Sequence, residues 1–120
     1  MAIIKKRKLS GSASGAPIKV VAVATAGTLI HTAVVETTDG TYDEIWLYAQ
    51  NNHTTNATLT IEFGGATAPD QNIIITLASK SGLQLVIPGL ILQNGLTVRA
   101  FASVANVVCL SGFINTITDA

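Results

Sequence analysis

Residues 44–63 read EIWLYAQNNHTTNATLTIEF, and this stretch decides the fold. On its first arm Ile45, Leu47 and Ala49 alternate with Glu44, Trp46, Tyr48 and Gln50; on its second, Ala57, Leu59, Ile61 and Phe63 alternate with Thr58, Thr60 and Glu62. A repeat of two is the mark of a strand with one buried face, because successive side chains of an extended chain point to opposite sides. The polar NNHTTN between the arms predicts a turn, so the stretch reads as a hairpin. Trp46 and Tyr48 fall on the wetter face with Glu44, Gln50 and Glu62. Large aromatics in that position point to a surface that something else covers.

Working outward, strand and turn signals recur about every ten residues. IKVVAVAT (18–25) is β-branched and apolar on both faces, which predicts a strand covered on both sides. TLIHTAVVE (28–36) is the next, with His31 in phase with Leu29, Ala33 and Val35, where a packed neutral histidine is expected. Asp39-Gly40 marks a turn. Beyond the central stretch, GGATAPDQN (64–72) is a loop, NIIITLAS (72–79) a strand, and LQLVI (83–87) another, broken at Pro88-Gly89 and resumed as LIL. Asn94-Gly95 is a hairpin signal, and LTVRAFAS with VVCLSGFINTIT reads as a closing hairpin, Gly112 marking a bulge or a close backbone approach. No stretch has a 3.6-residue period with caps. The expected fold is all-β: about eight strands in a two-sheet antiparallel sandwich, jelly-roll-like.

The first 17 residues differ from the rest. Lys5, Lys6, Arg7 and Lys8 precede LSGSASGAP, whose small residues offer little to bury. The expected organisation is a flexible basic arm over 1–17 and a β-sandwich domain over 18–120. The four cations of the arm are its candidate partner-binding residues. Residues 18–120 hold Lys19, Lys80 and Arg99 against all seven acids, a net charge of −4 that the overall balance of zero conceals. Three readings of the arm stand: a solvated tail, a tether gripping a neighbouring subunit, and a nucleic-acid contact. The last is disfavoured, since four charges without interleaved aromatics make a thin footprint.

At 120 residues the chain fits one domain. Charged residues make up 12% against a usual share of about 25%, and mean hydropathy is +0.48. So few charges leave apolar surface in water, which predicts a permanent neighbour that covers it. No run of 18 apolar residues predicts a membrane span, and the N-terminus lacks the apolar core of a secretory signal. The expectation is a protein made in a cytoplasm and kept there or packaged from it.

Chemistry is sparse. Cys109 is the lone cysteine and reads as a small buried hydrophobe. His31, His53 and Cys109 are too scattered for structural zinc. Asp39, Asp43 and Glu44 offer oxygen ligands for calcium, but an ordinary solvated turn accounts for them better, and no metal is expected. No phosphate loop and no nucleophile elbow occurs, so neither enzyme activity nor a cofactor is expected. Trp46 and Tyr48 stay open among three roles: a protein interface, a platform for sugar rings, or a face covered from within.

The leader KKRKLSGSASGAPIKV, the segment GTLIHTAV, the pair EIWLYAQN and LTIEFGG, and the ending LVIPGLILQNGLTVRAFASVANVVCLSGFIN together resemble small virion proteins of tailed bacteriophages, most of all the capsid decoration or cement proteins. The resemblance implies a jelly-roll or sandwich protein that sits on the head as a trimer, braces neighbouring major capsid subunits, and is made in the host cytoplasm before joining the virion. Similar proteins serve in tails and baseplates, and a sugar-binding module using Trp46 and Tyr48 is the alternative of another class.

Overall fold

The alternating runs become two antiparallel sheets packed face to face in the computed structural model, which describes residues 2–119. Met1 of the expected arm and Ala120 of the expected domain lie outside the described residues. Nine strands and no helix are present among the described residues: β1 (Ala2–Lys8), β2 (Ile18–Lys19), β3 (Thr28–Thr32), β4 (Thr41–Asn51), β5 (Ala57–Phe63), β6 (Asn72–Leu77), β7 (Gln84–Leu92), β8 (Thr97–Ala102) and β9 (Val108–Asp119). One sheet runs β1-β9-β4-β7, with β2 also paired to β9; the other runs β3-β8-β5-β6. With β1 and β2 sharing the first place, this is the strand order of a jelly roll.

The core lies between the sheets. Ile45, Leu47 and Ala49 of β4 and Ala57, Leu59 and Ile61 of β5 are all sealed from solvent, as their alternation requires. Leu110 and Ile114 of β9, Ile87 of β7, Val98 of β8 and Leu77 of β6 complete the layer. Each large aliphatic group buried here contributes on the order of 1.5–3 kcal/mol.

The central stretch is nevertheless not a hairpin. β4 belongs to the first sheet and β5 to the second, so the loop carries the chain across the core and the two strands face each other through their side chains. Asn51, fully buried, makes the corner. Its Nδ2 donates to the carbonyls of Thr55 (3.1 Å), Leu77 (3.2 Å) and Ala78 (3.1 Å), and its Oδ1 accepts from the His53 N–H at 2.9 Å. The small side chains of Ala49 and Ala57 flank the crossing. Alternation fixes which face is buried but not whether the next strand pairs sideways or stacks across.

The same change of sheet occurs at Asn94-Gly95, between β7 and β8, and again between β8 and β9, where a closing hairpin was expected. Among the described residues the one hairpin joining consecutive strands is β5–β6, in register from Ala57↔Leu77 to Glu62↔Asn72, across the loop GGATAPDQ.

Two further segments depart from expectation. Of 18–25 only Ile18–Lys19 is strand, and Val21 and Val23 are exposed, because the Val21 and Ala22 N–H groups turn to Thr28 Oγ1 instead of extending the ladder. The segment expected to be a flexible arm instead supplies β1, paired with β9 from Ala2↔Asp119 to Lys8↔Phe113. Alternation was absent there because both faces of β1 lie in solvent. Beyond it Leu9 is buried, and the Gly11 N–H donates to Ile30 O at 2.9 Å, so the strand is rooted on β3.

Candidate interaction face

Strand pairing in the first sheet determines what its outer face displays. Since Ile45, Leu47 and Ala49 point inward, Tyr42, Glu44, Trp46, Tyr48 and Gln50 point outward. Across on β9 their partners are Ile117, Asn115, Phe113, Ser111 and Cys109. On β7, Leu85 lies opposite Tyr48 and Ile91 opposite Glu44; on β1, Ile4, Lys6 and Lys8 lie opposite Ile117, Asn115 and Phe113. Cys109 is therefore half-buried on this outer face, a correction to the buried hydrophobe expected.

A cross-strand row runs through the middle. The Trp46 and Phe113 rings stack with centroids 6.1 Å apart and planes 14° apart. Lys6 Nζ sits 4.2 Å from the Phe113 centroid, a cation–π contact that ties β1 to its neighbour. On the β7 side the indole covers Gly89, where an added Cβ would come within 2.9 Å of the ring. Glycine at 89 is what lets the indole fit. The Trp46 Nε1–H donates to Glu44 Oε1 at 2.8 Å, and the Asn115 amide donates to the same oxygen at 3.0 Å. These donors, Trp46 first and Asn115 second, hold the Glu44 carboxyl below its ordinary range despite some burial.

Around this row apolar side chains stand in solvent among polar ones. Ile4 is 64% exposed, Ile91 56% and Leu85 48%, with Tyr42, Tyr48 and Ile117 half-buried among them. Tyr42 and Ile91 also border a cleft of about 410 Å³ closed by Leu92, Gln93 and Leu96. Four strands about 4.8 Å apart, with β4 eleven residues long, give a face of roughly 700 Å². A standard protein interface buries about 800 Å² per partner.

The expected site residues thus separate. Trp46 and Tyr48 share the outer face. Lys6 and Lys8 border it along β1, while Lys5 and Arg7 point to the other side of that strand. Phe113, Ile4, Tyr42, Leu85 and Ile91 escaped sequence reading. The alternation of Phe113, Asn115 and Ile117 carried the signal, but in VVCLSGFINTIT apolar residues such as Val108, Leu110 and Ile114 occupy the other phase too, which blurs it.

The second cleft, of about 390 Å³, is polar and includes Ser10, His31 and Asp43. A bulge between Leu29 and His31 breaks the expected phase, leaving Ile30 and His31 both buried while Leu29 and Val35 are exposed. His31 Nδ1 accepts from the Ser10 backbone N–H at 3.0 Å, which makes Nε2 the protonated nitrogen donating to Asp43 Oδ2 at 2.8 Å. Ser10 Oγ accepts from the Thr32 N–H at 2.7 Å. No ring nitrogen is left to take a proton from Ser10, so the trio is a structural clasp between β1, β3 and β4. The Thr116 hydroxyl donates to Asp43 Oδ1 at 2.8 Å and the Val34 N–H to Oδ2 at 3.2 Å, so the carboxylate is satisfied. Asp43 points inward and Glu44 outward, so the two do not converge on a cation, and no group of metal ligands forms among the described residues. Comparison with protein-family models, curated proteins and solved structures found no match.

Proposed function

We propose that this chain is a non-enzymatic virion component of a tailed bacteriophage, a decoration protein that binds the assembled head and braces neighbouring major capsid subunits. The observation that carries the reading is the outer face of the first sheet: a surface of interface size on which Ile4, Leu85 and Ile91 are exposed around Trp46, Phe113 and Tyr48, bordered by Lys6 and Lys8 of β1. A surface of that size and character is the kind a permanent neighbour covers. Jelly rolls recur in viral capsid and lectin domains, which agrees with the resemblance in the sequence without deciding the role. A trimer would repeat the face three times, so that modest contacts hold by avidity. Binding the lattice and not its free subunits stabilises the assembled state by mass action. The sugar-platform alternative has weaker support, because the indole is already engaged by Phe113 and Gly89.

The test is co-sedimentation of the purified chain with assembled phage heads and, separately, with unassembled capsid subunits. The reading expects retention on heads alone, lost in a Leu85→Glu/Ile91→Glu variant that keeps its β spectrum. A chain that ignores heads and is captured on a glycan array would overturn it.

A further inference from the structure

Strand β1 is held along one edge. All seven of its residues are exposed, so the ladder to β9, the Lys6 contact with Phe113, and the Arg7 Nη1–H donating to Thr116 Oγ1 at 3.4 Å keep it in place. Leu9, 1% exposed, is the apolar plug that follows, and Ser10 and Gly11 lie along β3. The chain then folds back through Ala13–Pro17, every residue of which is exposed. That turn is tight: the Ala16 N–H donates to Ala13 O at 2.9 Å and the Ser12 hydroxyl to Ala16 O at 2.7 Å. Ser14 sits at φ 54° and Gly15 at φ 86°. A left-handed serine is strained by its Cβ, so opening the turn releases energy that the closed form stores.

We propose that the segment Ala2–Ser12 exchanges between two copies of this chain. With the turn open, five residues extend by roughly 16 Å. β1 of one copy then adds to β9 of the other, and its Leu9 enters the place vacated by the partner's own. Charge selects this docking over simple edge pairing. The segment carries four cations and the remainder of the chain a net −4, three cations against seven acids, so segment and body attract between copies. Antiparallel β1–β1 pairing would instead set KKRK against KKRK, a repulsion of the kind that protects sheet edges. Reciprocal exchange closes on a two-fold axis and rebuilds each native pair, leaving the turn and the protein concentration to decide the balance. This inference is independent of the virion reading and concerns the purified protein.

Lys6 and Asn115 face each other across the β1–β9 ladder. Two single variants, Lys6→Cys and Asn115→Cys, each in a Cys109→Ser background, are mixed at high concentration, incubated and oxidised. Exchange predicts a disulfide-linked heterodimer on the order of tenfold more abundant than that from Lys6→Cys mixed with Thr54→Cys, whose thiol lies in a distant loop. Deleting Ser14 and Gly15, which removes the turn, should shift the chain to dimer on size exclusion; Ser14→Gly, which relieves the strain, should reduce the heterodimer. The double variant Lys6→Cys/Asn115→Cys in one chain reports that the ladder forms. Internal closure in that variant, with a heterodimer yield no higher than the control, overturns the proposal.

Discussion

Replacing Asn51 with alanine tests whether the chain crosses the core where the sequence suggests a hairpin. In the crossing, the side chain is fully buried and serves three carbonyls and one backbone N–H at 2.9–3.2 Å. The two amide hydrogens divide among the three carbonyls, so truncation removes about three effective hydrogen bonds and strands the Leu77 carbonyl, the partner in a fully buried bond. At about 1 kcal/mol per bond, and somewhat more for the stranded group, the loss is about 3 kcal/mol. With a urea m-value of about 1.5 kcal/mol/M, the midpoint falls by about 2 M. The assay is equilibrium unfolding followed by Trp46 fluorescence and far-ultraviolet circular dichroism. Asn51→Asp adds a pH signature. A carboxylate facing three carbonyls has its folded pKa raised, so this variant loses stability as pH climbs from about 4 and recovers it in acid. Were β4 and β5 a hairpin, Asn51 would sit in a solvated turn and its truncation would cost under about 0.5 kcal/mol. That smaller value, with no acid recovery in the aspartate variant, refutes the crossing.

Gly112→Ala places a Cβ 2.0 Å from the Trp46 carbonyl oxygen and should cost about 3 kcal/mol or abolish folding, read as lost soluble expression or a lowered Tm. Lys6→Ala should loosen β1 by about 0.5–1 kcal/mol, seen as faster amide exchange over residues 2–8 with little change in Tm. Glu44 contributes stability that is present above its ordinary pKa near 4.5 and lost as pH falls through the lowered folded value, so Glu44→Gln should flatten the acid limb of a stability–pH curve. Deleting residues 1–16 removes Leu9 from the core and uncovers β9, and should lower stability by about 2–5 kcal/mol in a thermal melt; an unchanged melt would return the segment to the status of a free arm.

Burial was legible in the alternation of β4 down to single residues, because the repeat of two is a local property of an extended chain; on β5 it held for Ala57, Leu59 and Ile61 but not for Thr60 and Glu62, expected on the wetter face and buried instead, Glu62 Oε1 accepting from the Gly27 N–H at 2.7 Å. Pairing was not, since sheet membership depends on where a loop leads, and Asn51 looks like any polar turn residue until its three carbonyls are in place. β1 was hidden for a different reason: with both faces in solvent it has no pattern to show. At the interaction face, Trp46 and Tyr48 were found by their phase against Ile45 and Leu47. Their neighbours Phe113, Leu85 and Ile91 come from strands brought alongside by the fold, and no spacing within one strand could have named them together.

The central place of β9 sets the order in which the molecule can be built. Three earlier segments, β1, β2 and β4, take it as their partner, yet it follows all of them in the chain. During synthesis β1 and β2 must therefore wait for β9 to emerge, while β5 and β6 can join earlier as a hairpin. For that interval a basic strand is held open, its four cations discouraging premature pairing with other nascent copies.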